Sequence, residues 1–148
     1  SRDWQQKMAE VLRLLGSEHA MVVHSDGLDE IRLDAPTHVV ELKNDAITEY
    51  VISPADLGLE PRTDADLSGI VANSAESSLA LVRQSLNDDS SAAADIVALN
   101  AGAAIYVSGI ANSLLNGVEM AQDAISSGQA KERLAELVRI TSLMSESS

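Results

Sequence analysis

The chain contains no cysteine and no phenylalanine, only one tryptophan and two tyrosines, three prolines, and ten basic residues against 23 acidic ones. Without cysteine there are no disulfides, no thiolate nucleophile and no zinc-thiolate site. The scarcity of aromatic rings leaves little surface on which nucleic-acid bases could stack. The formal charge of −13 repels phosphate backbones and anionic lipid. Nucleic-acid and membrane partners are therefore disfavoured. No apolar run approaches the roughly 20 residues of a membrane span, and no signal peptide opens the chain. The expected compartment is the cytoplasm.

What is present is ample aliphatic material. Hydrophobic residues make up 45% of the 148 positions, enough for one domain with a sizeable core. That core must be built from Leu, Ile, Val, Ala and Met.

Trp4, Met8, Val11, Leu12 and Leu15 follow the spacing of one helix face. Asp3 with Gln6 reads as its cap and Gly16 as its stop. The helix begins at once with no leader, and on that ground the chain is expected to be part of something longer. His19 to His24 is an apolar run too short for a helix, expected to be a strand buried on both faces inside a parallel sheet. It runs into Ser25-Asp26-Gly27-Leu28-Asp29-Glu30, a loop loaded with carboxylates. Functional sites of α/β proteins lie beyond the carboxyl ends of strands, where this loop falls.

Thr37 to Leu42 and Ile47 to Ile52 read as two strands joined across Lys43-Asn44-Asp45-Ala46, a β-hairpin with Asn-Asp as turn. From Pro54 to about Asn73 the spacing predicts an irregular loop. Four helices follow. The first carries Ala75, Leu79, Val82 and Leu86. The second, Ala92 to Val107, is apolar on nearly every face and so is expected to be buried. The third is capped by Asn112 or Ser113 and stopped by Gly128, and the fourth carries Ala130, Leu134, Leu137 and Val138. In the second helix, Ala101-Gly102-Ala103-Ala104 is small enough for another backbone to approach closely. No repeat or low-complexity segment interrupts the chain.

Among candidate chemistry, the adjacent Asp29 and Glu30 come first. Magnesium takes hard oxygen ligands and is commonly held by one or two carboxylates together with substrate phosphates. Spacing alone equally allows a solvated acidic turn. His24 ends a strand with no nucleophile beside it, and reads as structural. His19 and His38 have no ligand spacing, so zinc is not indicated. Asn100, an amide inside an apolar helix, must find partners and reads as a clamp onto a neighbouring loop. Asp95 suits the positive end of its helix. The basic residues are dispersed, and no glycine-rich phosphate cradle occurs.

Three segments together carry a resemblance. Ala20 to Glu30 with Leu33-Asp34-Ala35-Pro36-Thr37, then Glu41-Leu42-Lys43-Asn44 through Tyr50 with Ser53 to Leu59, then Asp95-Ile96-Val97-Ala98-Leu99-Asn100-Ala101-Gly102-Ala103-Ala104-Ile105-Tyr106-Val107 resemble, in order, the second half of the anthranilate phosphoribosyltransferase family. Leu67 to Asn73 departs from that family's pattern, where a Gly-Gly pair is common, and leaves the role of this loop open.

The resemblance implies an α/β fold, with residues 1–148 as the C-terminal part of a nucleoside phosphorylase/phosphoribosyltransferase-type domain. Strands and a β-hairpin would pack with a C-terminal group of helices. It implies transfer of a phosphoribosyl group from phosphoribosyl pyrophosphate to anthranilate in tryptophan biosynthesis. Mg2+ would be the cofactor, Asp29 and Glu30 its ligands, and the intact enzyme a homodimer. The family's Gly-Thr-Gly-Gly-Asp loop, its Lys-His-Gly-Asn segment and the arginine that meets anthranilate have no counterpart here. Substrate-binding residues are thus expected upstream, with no catalytic residue in this chain, and the fragment alone is expected to be inactive. The competing readings are a nucleic-acid-binding paralogue of the same fold, an enzyme like pyrimidine nucleoside phosphorylase, and a purely structural half-domain.

Overall fold

The computed structural model describes residues 1–28, 30–60, 62, 67–87 and 90–146. Helix α1 (Arg2–Leu14) leads into strand β1 (His19–His24), followed by β2 (Thr37–Lys43) and β3 (Ala46–Ile52). A short 3-10 turn spans Pro54–Leu57. Helices α2 (Ala75–Ser85), α3 (Ala92–Val107), α4 (Leu114–Ser126) and α5 (Gln129–Glu146) complete the chain. The α/β class and the expected order of elements are both borne out.

The sheet has the order β1-β2-β3, and both pairings are antiparallel. The hairpin forms where expected. Asn44 and Asp45 both take positive φ, 50° and 66°, as a two-residue turn matched to strand twist requires. The parallel setting expected for β1 is corrected: β1 runs antiparallel to β2, with His24 opposite His38 and His19 opposite Lys43. An apolar run reports burial, not strand direction. All six β1 residues are only half-buried, and the second edge of β1 pairs with no strand among the described residues.

Helix α1 also departs from expectation. Its buried residues are Gln5 and Ala9, whereas Trp4, Met8, Val11 and Leu15 are exposed. The reason is specific chemistry at the sheet. The Gln5 side-chain amide donates to the main-chain carbonyls of Val22 at 2.7 Å and His38 at 2.9 Å. Ala9, fully buried, lets the helix lie close. Asp3 stands in the first turn, where its charge favours the helix dipole, and the N-cap position belongs to Ser1.

The region after Pro54 is more ordered than expected. Ser53 and Asp56 form a reciprocal capping box, with the Ser53 amide donating to Asp56 Oδ2 at 2.8 Å. Leu57 and Leu59 are buried. Positions 61 and 63–66 lie outside the described residues.

The main core joins Ile31 and Leu33 from the acidic loop, Val39 and Ile52 from the sheet, and Leu99 and Val118 from α3 and α4. Helices α3 and α4 meet through glycine. A Cβ on Gly102 would lie 2.6 Å from the Val118 main chain, and one on Gly117 would lie 2.3 Å from the Gly102 carbonyl oxygen. The close approach expected of the small-residue stretch is present, and α4 supplies its own glycine to it.

Candidate functional site

The candidate site grows out of the end of β1. Ser25 and Leu28 exchange two main-chain hydrogen bonds, each 2.9 Å, around Asp26-Gly27. Both central residues take positive φ, 42° and 88°. Aspartate tolerates that conformation, and glycine adopts it freely. Ser25 is fully buried, and its hydroxyl donates to the Pro36 carbonyl at 2.8 Å. Sequence and turn chemistry thus fix where the loop leaves the sheet.

The far side of the loop is held by a different element. Asn100 on α3 accepts from the Ile31 amide at 3.0 Å and donates to the Ile31 carbonyl at 3.1 Å. It also donates to Ile96 O, one turn back, at 3.0 Å. The expected clamp is present, and its target is the residue that follows Glu30. The Ile31 side chain is buried in the core. Arg32 pairs with Asp34 through Nε at 2.6 Å and through a second guanidinium nitrogen. The guanidinium hydrogen bond leads in holding the Asp34 carboxyl below its ordinary range. Arg32 also reaches toward Asp26, at 3.9 Å.

Glu30 is exposed between these anchors. Asp29 lies outside the described residues. Among the described residues no group of three His, Asp or Glu side chains could enclose a metal by itself. His24 closes β1 opposite His38. A cleft of about 470 Å³ opens there, lined by His24, Asp26, Gly27, Pro36, His38 and Arg2.

One cluster was not foreseen. Glu41, 7% exposed on β2, accepts from Tyr50 and Tyr106 hydroxyls at 2.8 Å each, and its carboxylate lies 2.8 Å from His19 Nε2. Lys43 Nζ donates to the Tyr106 hydroxyl at 3.0 Å, and the His19 and Tyr106 rings meet edge to face at 4.8 Å. Burial pushes the Glu41 carboxyl up, but the hydrogen bonds from Tyr106, Tyr50 and His19 outweigh it and hold it below its ordinary value. Burial, reinforced by Glu41, pushes the Tyr50 hydroxyl well up. This cluster ties the sheet to the C-terminal end of α3.

The N-terminal end of α3 has its own tie. Asp95 is buried in its first turn and accepts from Arg62 Nε at 2.7 Å. The expected dipole role is therefore joined by an ion pair. Arg62 also donates to Ser90 O at 2.9 Å. Helix α3 is thereby fixed at both ends and carries Asn100 between them.

The sequence profile described as glycosyl transferase family, a/b domain, matches residues 1–131. An anthranilate phosphoribosyltransferase of Teredinibacter turnerae is 52% identical over 141 residues, covering 92% of this chain and 40% of the relative. One from a Marinomonas species is 54% identical, covering 93% and 40%. The chain thus spans about two fifths of the length of the curated relatives it matches. Its fold superimposes on the anthranilate phosphoribosyltransferase of Thermus thermophilus with a TM-score of 0.83 at 34% identity, over 94% of this chain and 40% of that one. The Saccharomyces cerevisiae enzyme, in a complex with PRPP and Mg, shares the fold at 20% identity, with a TM-score of 0.74 over 91% of this chain and 39% of that one.

Proposed function

The chain belongs to the glycosyl transferase family as its a/b domain, and from that premise we propose that it is the C-terminal part of an anthranilate phosphoribosyltransferase. In the proposed intact enzyme Asp29 and Glu30 bind magnesium. The observation that carries the metal assignment is the exposed Glu30 carboxylate, one residue from a main-chain position held by Asn100.

The donor set suits the ion. Magnesium usually keeps several waters and takes one or two carboxylates together with substrate phosphates, in preference to an all-protein cage. The exposed Glu30 carboxylate offers hard oxygens of that kind. When bound, magnesium supplies charge neutralisation to the departing pyrophosphate.

In the reaction, the anthranilate nitrogen attacks the anomeric carbon of phosphoribosyl pyrophosphate. The carbon–oxygen bond to pyrophosphate breaks, a nitrogen–carbon bond forms, and the amine loses a proton. In that step this chain would contribute Asp29 and Glu30 as the residues that hold the ion. Substrate contacts and proton transfer belong to the remaining three fifths of the enzyme. A chain of formal charge −13 with dispersed basic residues cannot by itself concentrate a polyanionic donor. We assign the intact enzyme to the cytoplasm as a homodimer acting on small molecules, without nucleic-acid or membrane partners. No described helix is long and apolar enough to cross a membrane.

The 148-residue chain alone, given phosphoribosyl pyrophosphate, anthranilate and Mg2+, is expected to consume no anthranilate, as followed by its fluorescence. The full-length protein is expected to consume it. Turnover by the chain alone would overturn the division of labour, and none by the full-length protein would overturn the assignment.

A further inference from the structure

Asp29 and Glu30 are the only two residues between Leu28 and Ile31, and both flanking residues are anchored through their main chains. Leu28 is bonded twice to Ser25. Ile31 offers both its N–H and its C=O to the single side chain of Asn100. An amide that grips both polar groups of one residue acts as a strand partner would, and fixes rotation as well as position. Asn100 is itself constrained by its third bond, to Ile96 O. Its helix is pinned at one end by Asp95–Arg62 and at the other by Tyr106–Glu41.

We propose that Asn100 is the positioning residue of the metal loop, holding Ile31 so that the adjoining Glu30 presents its carboxylate in a fixed direction. The inference rests on the proposed metal-binding role of Asp29 and Glu30. Asn100 touches neither metal nor substrate; it acts through Ile31. Groups that orient metal ligands typically control metal affinity by about 10–100-fold.

The test is Mn2+ binding to the full-length enzyme, read by the electron paramagnetic resonance of free Mn2+, together with amide exchange at Ile31. Asn100→Ala removes all three bonds, and Asn100→Asp keeps the acceptor for the Ile31 amide. The Mn2+ dissociation constant is expected to rise about 10–100-fold in Asn100→Ala, and less in Asn100→Asp. Ile31 exchange should accelerate in the same order. Ile125→Ala, in the separate cluster around Ala98 and Ala121, controls for general loosening and should leave Mn2+ affinity unchanged. Unchanged affinity in both Asn100 variants, with binding lost in Glu30→Gln, overturns the positioning role and leaves the metal pair standing. Equal weakening by Ile125→Ala also overturns it. Unchanged binding in Glu30→Gln overturns the metal assignment itself.

Discussion

Gly117→Ala is expected to lower the melting temperature by roughly 4–8 °C, since each 1 kcal/mol moves a domain of this size by about 2–4 °C. The new methyl would sit 2.3 Å from the Gly102 carbonyl oxygen and 3.1 Å from its carbon. Both are backbone atoms in the middle of α3, so no flexible side chain can swing away. Relief requires the two helices to separate. Separation withdraws Val118 from the main core and Ala121 and Ile125 from the second cluster. Overpacking costs about 1–3 kcal/mol, and a clash against rigid backbone stands at the upper end of that range. Against it stands the better helix propensity of alanine, about 1 kcal/mol. The clash wins by roughly 2 kcal/mol. Glu119→Ala, on the exposed face of the same helix, should stay within about 0.5 kcal/mol of the parent. Thermal melts of both variants check the contrast, and an unperturbed Gly117→Ala would mean that the helices do not cross so closely.

The Glu41 cluster gives the second large effect. Glu41→Leu fits the apolar surroundings but strips a common acceptor from His19, Tyr50 and Tyr106. Stranding the half-buried Tyr50 and Tyr106 hydroxyls and the His19 ring without their acceptor costs about 1–3 kcal/mol per unsatisfied group, a fall of roughly 2–12 °C for each at 2–4 °C per kcal/mol. The sign of the pH dependence follows from the depressed carboxyl. Its folded-state pKa lies below the ordinary value of 4.5. Its contribution is therefore fully present above 4.5 and disappears as pH falls through the lower folded value. Urea titrations should show wild type well above Glu41→Gln at about pH 7, with the gap closing as the solution is acidified below 4.5. A gap that is constant across that range would show that the carboxylate form does not stabilise the fold.

Much of the architecture was legible from local rules. Asn44-Asp45 between two apolar runs specified the hairpin, and Ser113 and Gly128 bounded α4 by cap and stop. Asn100 was legible as a clamp because an amide in an apolar helix cannot stay unpaired. What failed was whatever depended on distant partners. The stripe Trp4, Met8, Val11 and Leu15 suggested a packing face, but two strand carbonyls drew Gln5 inward instead. A short apolar run such as His19 to His24 has no direction, so antiparallel pairing was invisible in it.

The Glu41 cluster gathers residues from positions 19, 41, 50 and 106, separations that no local window spans. One signal was available: a carboxylate within the apolar strand Thr37 to Leu42, with the hairpin register bringing Tyr50 diagonally beside it. The carboxylate pair itself was readable as hard-oxygen chemistry. Its reading as a metal pair came from the ordered resemblance around it.

The central claim is that this chain contributes the magnesium-binding carboxylates of a phosphoribosyl transfer site. Its most direct measurement is the Mg2+ dependence of phosphoribosyl transfer to anthranilate in the full-length enzyme carrying Asp29→Asn or Glu30→Gln. Loss of electrostatic stabilisation at a departing group typically costs about 100-fold or more in kcat. The expected result is a fall of that order in both variants, with half-maximal Mg2+ moved to higher concentration. Wild-type turnover and an unchanged Mg2+ profile in both variants would contradict the account.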